Sequence, residues 1–354
     1  MKTNRNKWWG PAVQQISGLI QAARTTRRGA LDDTLSRFFH RLSRLAPLGL
    51  LAFASAAQAW TLVRAAAPVT VIHQTGLYQA QPGQRLAVND MVETPAQGGA
   101  QLQDESGRVV ALGPDTRVLF ARDAHLSLLR GWLKLADGCA AADCAAPVVD
   151  TEGTRFTALD HAALVIAAAP AGYPDADDAD AVFVESGSAR LLALGAAARG
   201  KPAQAKLATH QFAVHARAAA AITSVPSPAP AFVGAMPVAF RDALRALPPA
   251  AVPPAPPASH AAPANAAHPA AYAELADWLV SALPARNAPD TRFAERFRAR
   301  LADPAFRRDV KQHIRELPDW HDLVFPPPPR RPAVAARNPV PDPPSAYPSI
   351  YVRP

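Results

Sequence analysis

The sequence predicts a mainly β protein with a small α-helical C-terminal module and proline-rich disordered linkers. Three observations predict it. From Thr61 to Ile222 short runs of alternating apolar and polar residues recur, with glycine turns about every 8–12 residues. From 271 to 325 the apolar residues switch to the three-to-four spacing of helices. Of the 37 prolines, 27 lie from Pro226 onward, which sets the second half apart from the first. At 354 residues the chain has room for one or two domains.

Residues 1–59 read as a basic leader and signal peptide. Nine Lys or Arg against Asp32 and Asp33 place +7 of the net charge of +8 in residues 1–44. Nucleic-acid binding needs a basic face on a folded domain, so this segregation argues against it. Leu45 to Ala59 is a short apolar segment ending in Ala57-Gln-Ala59, a small-x-small cleavage pattern with Trp60 as the first mature residue. Its core of about a dozen residues is short for a membrane span, which takes about 20. Cleavage after Ala59 is the preferred reading. The long basic stretch also allows a signal anchor that keeps residues 1–44 in the cytoplasm, or an upstream mis-assigned start. Membrane contact is expected only through an uncleaved leader.

Residues 60–222 read as the β domain. Val69-Thr-Val-Ile-His73 and Gly76-Leu-Tyr78 are β-branched or aromatic and lead to the turn Gln81-Pro-Gly-Gln84. Alternation is clear in Ala100-Gln-Leu-Gln103, Arg108-Val-Val-Ala-Leu112, Thr116-Arg-Val-Leu-Phe120 and Leu126-Ser-Leu128. One apolar and one polar face per strand is the mark of strands half buried in a sandwich or barrel. Turns fall at Ser106-Gly107, Gly113-Pro-Asp115 and Arg130-Gly131. Further strands follow at Ala162–Ile166, Ala181–Val184 and Gly187–Leu192, and Leu207–Val214 closes the series.

The ordered succession from Val88, through Leu126-Ser-Leu-Leu-Arg-Gly-Trp-Leu-Lys-Leu135, to Thr151-Glu-Gly-Thr-Arg-Phe156 resembles the periplasmic domain of the FecR family, iron-dicitrate sensors of bacterial envelopes. Gly153, Thr154 and Phe156 match that family's Gly-Thr-x-Phe signature. The resemblance covers about 65–222, under half of the chain. It implies a β-sandwich or coil-like sensor module without chemistry of its own, acting through other envelope proteins. Two insertions depart from the pattern: Asp137-Gly-Cys-Ala-Ala-Ala-Asp-Cys144 and the acidic stretch Tyr173-Pro-Asp-Ala-Asp-Asp-Ala-Asp180.

Cys139 and Cys144 are the only cysteines, close together at an expected hairpin tip. In an oxidising compartment such a pair reads as a disulfide, contributing about 2 kcal/mol for so short a loop. Zinc would need two further ligands, and His125 and His161 lack the spacing. The spacing is not the C-x-x-C of redox sites. Asp175, Asp177, Asp178 and Asp180 lack the glycine and distal Glu of an EF-hand and read as a solvated loop. His210 and His215, on one expected strand, would point to opposite faces. No phosphate loop, dinucleotide fingerprint or hydrolase elbow is present. The expectation is no enzyme, no metal and no cofactor. Trp132 reads as a core residue.

Residues 223–270 read as a Pro/Ala-rich linker of extended, semi-rigid spacers, broken by a short helix at Val238–Leu247. In the module at 271–325, Tyr272, Leu275, Leu279 and Leu283 share a stripe, followed by Phe293, Phe297 and Leu301. Asp303-Pro304 places an N-cap before a first-turn proline, ahead of Phe306, Val310 and Ile314. Helices this short must pack on one another, on the β domain or on a partner. Residues 326–354 read as a disordered proline-rich tail, with Tyr347, Ile350 and Tyr351 as a candidate docking segment.

These readings converge on an exported, non-enzymatic envelope protein whose partner is another envelope protein or a cell-wall component. Two alternatives stand beside it. One is a membrane-anchored FecR-like regulator that transduces an envelope signal. The other is a carbohydrate- or peptidoglycan-binding module, which would need Trp132, Phe120 and Tyr173 on one exposed face.

Overall fold

The computed structural model of the chain describes residues 60–139, 141, 144–170, 173, 178–194, 202–254 and 268–327. The leader with Ala57 and Ala59, Asp175 and Asp177, and the tail from 328 onward lie outside the described residues. The first seven strands are short: β1 (Thr61–Ala65), β2 (Val69–His73), β3 (Gly76–Ala80), β4 (Asp90–Glu93), β5 (Ala100–Gln103), β6 (Val109–Leu112) and β7 (Arg117–Phe120). Three long ones follow, β8 (His125–Ala136), β10 (Thr154–Ala168) and β11 (Ala179–Ala193), with β9 (Val148–Asp150) between the first two. Then come β12 (Gln204–Ala208), β13 (Phe212–Ala216), β14 (Thr223–Val225) and the two-residue β15 (His268–Pro269). All belong to one sheet, ordered β14-β13-β11-β10-β9-β8-β7-β4-β2-β3-β15. β12 adds to β11, and β1-β5-β6 form a branch that returns to β8.

Each long strand changes partners at its middle. β8 pairs with β7 up to Arg130 and with β6 and β10 beyond Gly131. Gly131 has φ +98°, and a Cβ there would stand 2.5 Å from Thr116 Oγ1, so a side chain does not fit. β10 is interrupted by left-handed Asp160 and His161, and opposite them β11 turns at Gly187. The sheet thereby folds over on an apolar interior that includes Trp60, Leu62, Val71, Val92, Leu102, Phe120, Leu128, Leu135, Phe156 and Leu164. The alternation read in Leu126-Ser-Leu128 holds, with both leucines facing this interior, but β8 runs unbroken through Arg130-Gly131, where a turn was expected, and brings Leu133 and Leu135 to the same face.

Two patches of the outer faces are covered. The strap after β14 carries a short helix α1 (Pro230–Ala235) and packs Phe232, Met236 and Phe240 on Trp132, Val165, Ala181 and Phe212. The extended spacer expected here is corrected over 226–254, where the segment lies on the sheet. The helix expected at Val238–Leu247 is a single 3-10 turn, Val238–Phe240. Its carbonyls at Phe240 and Asp242 are taken by Lys134 Nζ, at 2.6 and 2.8 Å, and do not serve a helical ladder. The second covering is the helical module, with α2 (Tyr272–Val280), α3 (Phe293–Phe297), α4 (Pro304–Gln312) and α5 (His321–Val324). Asp303 caps α4 as expected, accepting the Ala305 N–H at 2.9 Å. Tyr272, Leu275, Trp278, Leu279, Phe293, Phe297, Phe306 and Trp320 pack against Ile72, Leu77, Met91, Leu119 and Leu129 of the sheet. The module is therefore docked on the β domain.

Candidate functional site

The signature turn between β9 and β10 joins several elements. Thr151 N–H donates to the Thr154 carbonyl at 2.8 Å, and Thr154 N–H donates back to Thr151 Oγ1 at 2.9 Å. Both hydroxyls point at the buried Asp180 carboxyl, with Oδ2 2.6 Å from Thr151 Oγ1 and 2.9 Å from Thr154 Oγ1. Thr154 Oγ1 also lies 2.9 Å from His215 Nδ1, and His215 Nε2 faces the Ala219 carbonyl at 3.2 Å. A carbonyl only accepts, so Nε2 carries a hydrogen. Thr154 has one hydroxyl hydrogen for two neighbours. Either it goes to an ionised Asp180 and His215 is an imidazolium, or it goes to a neutral His215 and Asp180 is protonated. Both arrangements place one hydrogen on the Asp180–Thr154–His215 chain beyond that of the Thr154 hydroxyl itself. Burial pushes the Asp180 carboxyl up, against the opposing pull of the Thr151 hydroxyl and Arg217.

This geometry gives the Gly-Thr-x-Phe signature a physical role. A Cβ on Gly153 would stand 2.8 Å from Asp180 Oδ2 and 3.0 Å from Arg217 Cγ. Thr154 is the hinge of the polar chain, and Phe156 is buried in the main interior. Glu152 reaches outward, pairing with Arg217 and accepting the Ala282 N–H of the helical module at 2.8 Å. Below the turn, Asp150 takes two bonds from Arg155, at 2.7 and 2.8 Å, and faces His125 Nε2 at 2.8 Å. Burial opposes the charge, but these partners outweigh it and hold Asp150 below the usual carboxylate range. The signature thus holds the fold together and presents no reactive group to solvent.

Cys139 and Cys144 are disulfide-bonded, with Cα atoms 6.4 Å apart. The base of their loop is clamped by Arg108, a buried side chain that donates to Asp137 Oδ1 at 3.0 Å and to the Ala145 carbonyl. Asp104 faces it at 3.5 Å. Asp104 also builds the preceding turn, accepting from the N–H groups of Ser106 and Arg108, each at 2.9 Å. Gly138 and Gly107 pass so closely that a Cβ on Gly138 would lie 2.3 Å from the Gly107 carbonyl oxygen.

Other expected sites are relocated. Asp180 is buried and hydrogen-bonded, which corrects the solvated-loop reading for that residue. His210 sits in the β12–β13 turn at φ 67°, not on a strand, while His215 is inside. Trp60 is buried, with its ring centroid 5.5 Å from that of Phe120. Trp132, Phe120 and Tyr173 are all buried, Trp132 and Tyr173 against Phe232, so these three form no exposed sugar-stacking face. Among the described residues no group of three or more His, Cys, Asp or Glu is placed to hold a metal ion. None of the described helices is long and apolar enough to cross a membrane.

Three basic residues that pattern reading passes over carry much of the assembly. Lys134, wholly buried, joins Glu185 at 2.7 Å to the strap carbonyls. Arg108 clamps the disulfide loop. Arg296 of α3 donates to the carbonyls of Gln74, Asn89 and Ile72 at 2.9, 2.6 and 3.0 Å. Burial pulls the Arg296 guanidinium down to about 10. The one available signal was the Asp-x-Ser-Gly turn before Arg108.

No family model matches the chain, and no curated protein matches it. Two crystal structures of a proposed anti-sigma factor from Parabacteroides distasonis ATCC 8503 are similar to it, at 12% and 14% identity and a TM-score of 0.31 each. Each match covers 39% of this chain and spans 59% of the length of the other.

Proposed function

We propose that this is an exported, non-enzymatic envelope protein with a FecR-like β domain, acting by interaction with another envelope protein or a cell-wall component. The observation that carries the reading is the Cys139–Cys144 disulfide, since such bonds persist in oxidising compartments and are rare in the cytosol. The polar residues gathered at the signature turn support it from another side. Thr151, Thr154, Asp180 and His215 are turned into the fold, which suits a module that works through its surface. The segregated charge of the leader agrees with export and gives no reason to invoke nucleic acid.

The test is the N-terminal residue and intact mass of the protein recovered from cell fractions. A chain beginning at Trp60, with the disulfide formed, in the periplasmic or secreted fraction sustains the proposal. An uncleaved chain in the membrane fraction transfers it to the anchored regulator. A full-length chain with free thiols in the cytoplasm overturns it.

A further inference from the structure

The outer face of α4 is built unlike the rest of the helical module. Pro304, Arg307, Arg308, Lys311 and Gln312 recur at helical spacing and line one open cleft, while Phe306 and Val310 on the opposite face are buried. Arg307, Arg308 and Lys311 are exposed. Several surface arginines of the sheet are tied to carboxylates: Arg117 to Asp277, Arg130 to Asp115, Arg155 to Asp150. On α4, among the described residues, Arg307 and Lys311 have no carboxylate within ion-pair distance. Arg308 has only Asp309 at 3.9 Å. From Arg292 to Arg315 the sequence carries eight basic and three acidic residues, whereas 60–222 carries thirteen basic and sixteen acidic. Over the whole module, 268–327, nine basic residues are matched by nine acidic ones, so the excess is local to the α4 face.

Phe325 adds a second, independent feature. The residue is 47% exposed, and its ring centroid lies 5.8 Å from Lys311 Nζ. An exposed aromatic beside a row of cations is the composition of a membrane-interface anchor. The apolar face of α4 is already spent in the core, so the helix does not insert, and contact is electrostatic. The guanidinium forks match phosphate oxygens.

We infer that the α4 stripe docks the helical module on a bilayer surface rich in anionic phospholipid. This second membrane contact is separate from the leader and holds whether or not the leader is removed. It is salt-sensitive, because the pairs it forms are exposed. Each cation strengthens attachment by about fivefold.

The full-length, oxidised chain is tested with vesicles of mixed phosphatidylglycerol and phosphatidylcholine, and with vesicles of phosphatidylcholine alone. Lysine acylation read by mass spectrometry reports each site. Lys311 acylation is expected to slow several-fold on the anionic vesicles, to be unchanged on the neutral ones and to recover at high salt. Arg307→Glu with Arg308→Glu, both exposed, should abolish the Lys311 protection while leaving the circular dichroism and thermal midpoint unchanged. Protection of Lys2 and Lys7 without Lys311 would assign membrane binding to the leader and overturn the inference. Stronger Lys311 protection by polyglutamate than by anionic vesicles at equal charge would overturn it in favour of an acidic protein partner.

Discussion

The strap from 226 to 254 and the helical module from 268 to 327 both cover the sheet, but by opposite means. The module brings short helices and 3-10 turns that bury apolar stripes, so its attachment is dominated by side chains such as Leu275, Trp278, Phe293 and Phe297. The strap has little internal ladder, because proline-rich backbone makes few hydrogen bonds with itself. Its carbonyls must find donors on the surface they cover. The sheet supplies them: Lys134 to Phe240 and Asp242, Gln101 to Arg245, and Gln103 to both the N–H and the carbonyl of Leu247. A proline-rich segment can therefore be part of a folded unit where a neighbouring sheet offers polar side chains in register with it.

The largest effects should come from removing the aromatic anchor of each covering. Trp278→Ala and Phe232→Ala each delete a fully buried ring, which costs about 3–5 kcal/mol in a packed core. The two should fail differently. Phe232→Ala frees a segment with little structure of its own, so limited proteolysis should cut within 226–254 while the unfolding of the rest stays cooperative. Trp278→Ala also breaks the indole bond to Glu93, 2.7 Å long, and should lower the urea midpoint of the whole domain. Identical cleavage patterns for the two variants would sink the distinction.

Next in size is Lys134→Met, which keeps the aliphatic stem but leaves Glu185 and two strap carbonyls without their donor. Loss of one partner of a buried charged cluster costs about 3 kcal/mol or more. The expected result is a lower urea midpoint together with faster amide exchange in 238–247. A variant as stable as the parent would show that water replaces the ammonium there.

The same contrast explains what was legible in the sequence. Period-two alternation identifies a strand and its inner face, and it did so for Leu126 and Leu128. It does not say what lies on the other face. Gln101, Gln103 and Lys134 read as solvent-facing because polar residues usually are, yet the strap lies over them. The module was legible because three-to-four spacing marks both the helix and the stripe it buries. Its docking partner was not, since Ile72, Met91 and Leu119 are only every-other residues of strands. The signature Gly153, Thr154 and Phe156 stood out as a pattern, but its reason lies 26 residues further along the chain, in Asp180. The acidic run around Asp180 masked it, because burial is a tertiary property that a charge run does not disclose.

The smallest effect concerns pH, and it separates the two carboxyls on either side of the signature turn. Asp150 has a depressed folded-state value, so its contribution is present above the ordinary carboxylate range and is lost as pH falls through the depressed value. Asp180 is raised by burial, so its contribution is full in acid and is lost as pH rises through the raised value. Asp90 and Glu93, also raised by burial, act in the same direction as Asp180. Mild acidification from neutrality should therefore hold or raise the urea midpoint, and stronger acid should lower it as Asp150 is protonated. Asp180→Asn removes one of the raised groups. Its midpoint should gain on that of the parent as pH rises from 4 to 8, because the parent then carries the cost of ionising a buried carboxyl. A constant offset across that window would mean that Asp180 does not change its protonation between those limits, and that the raised carboxyl contributes nothing to the pH dependence there.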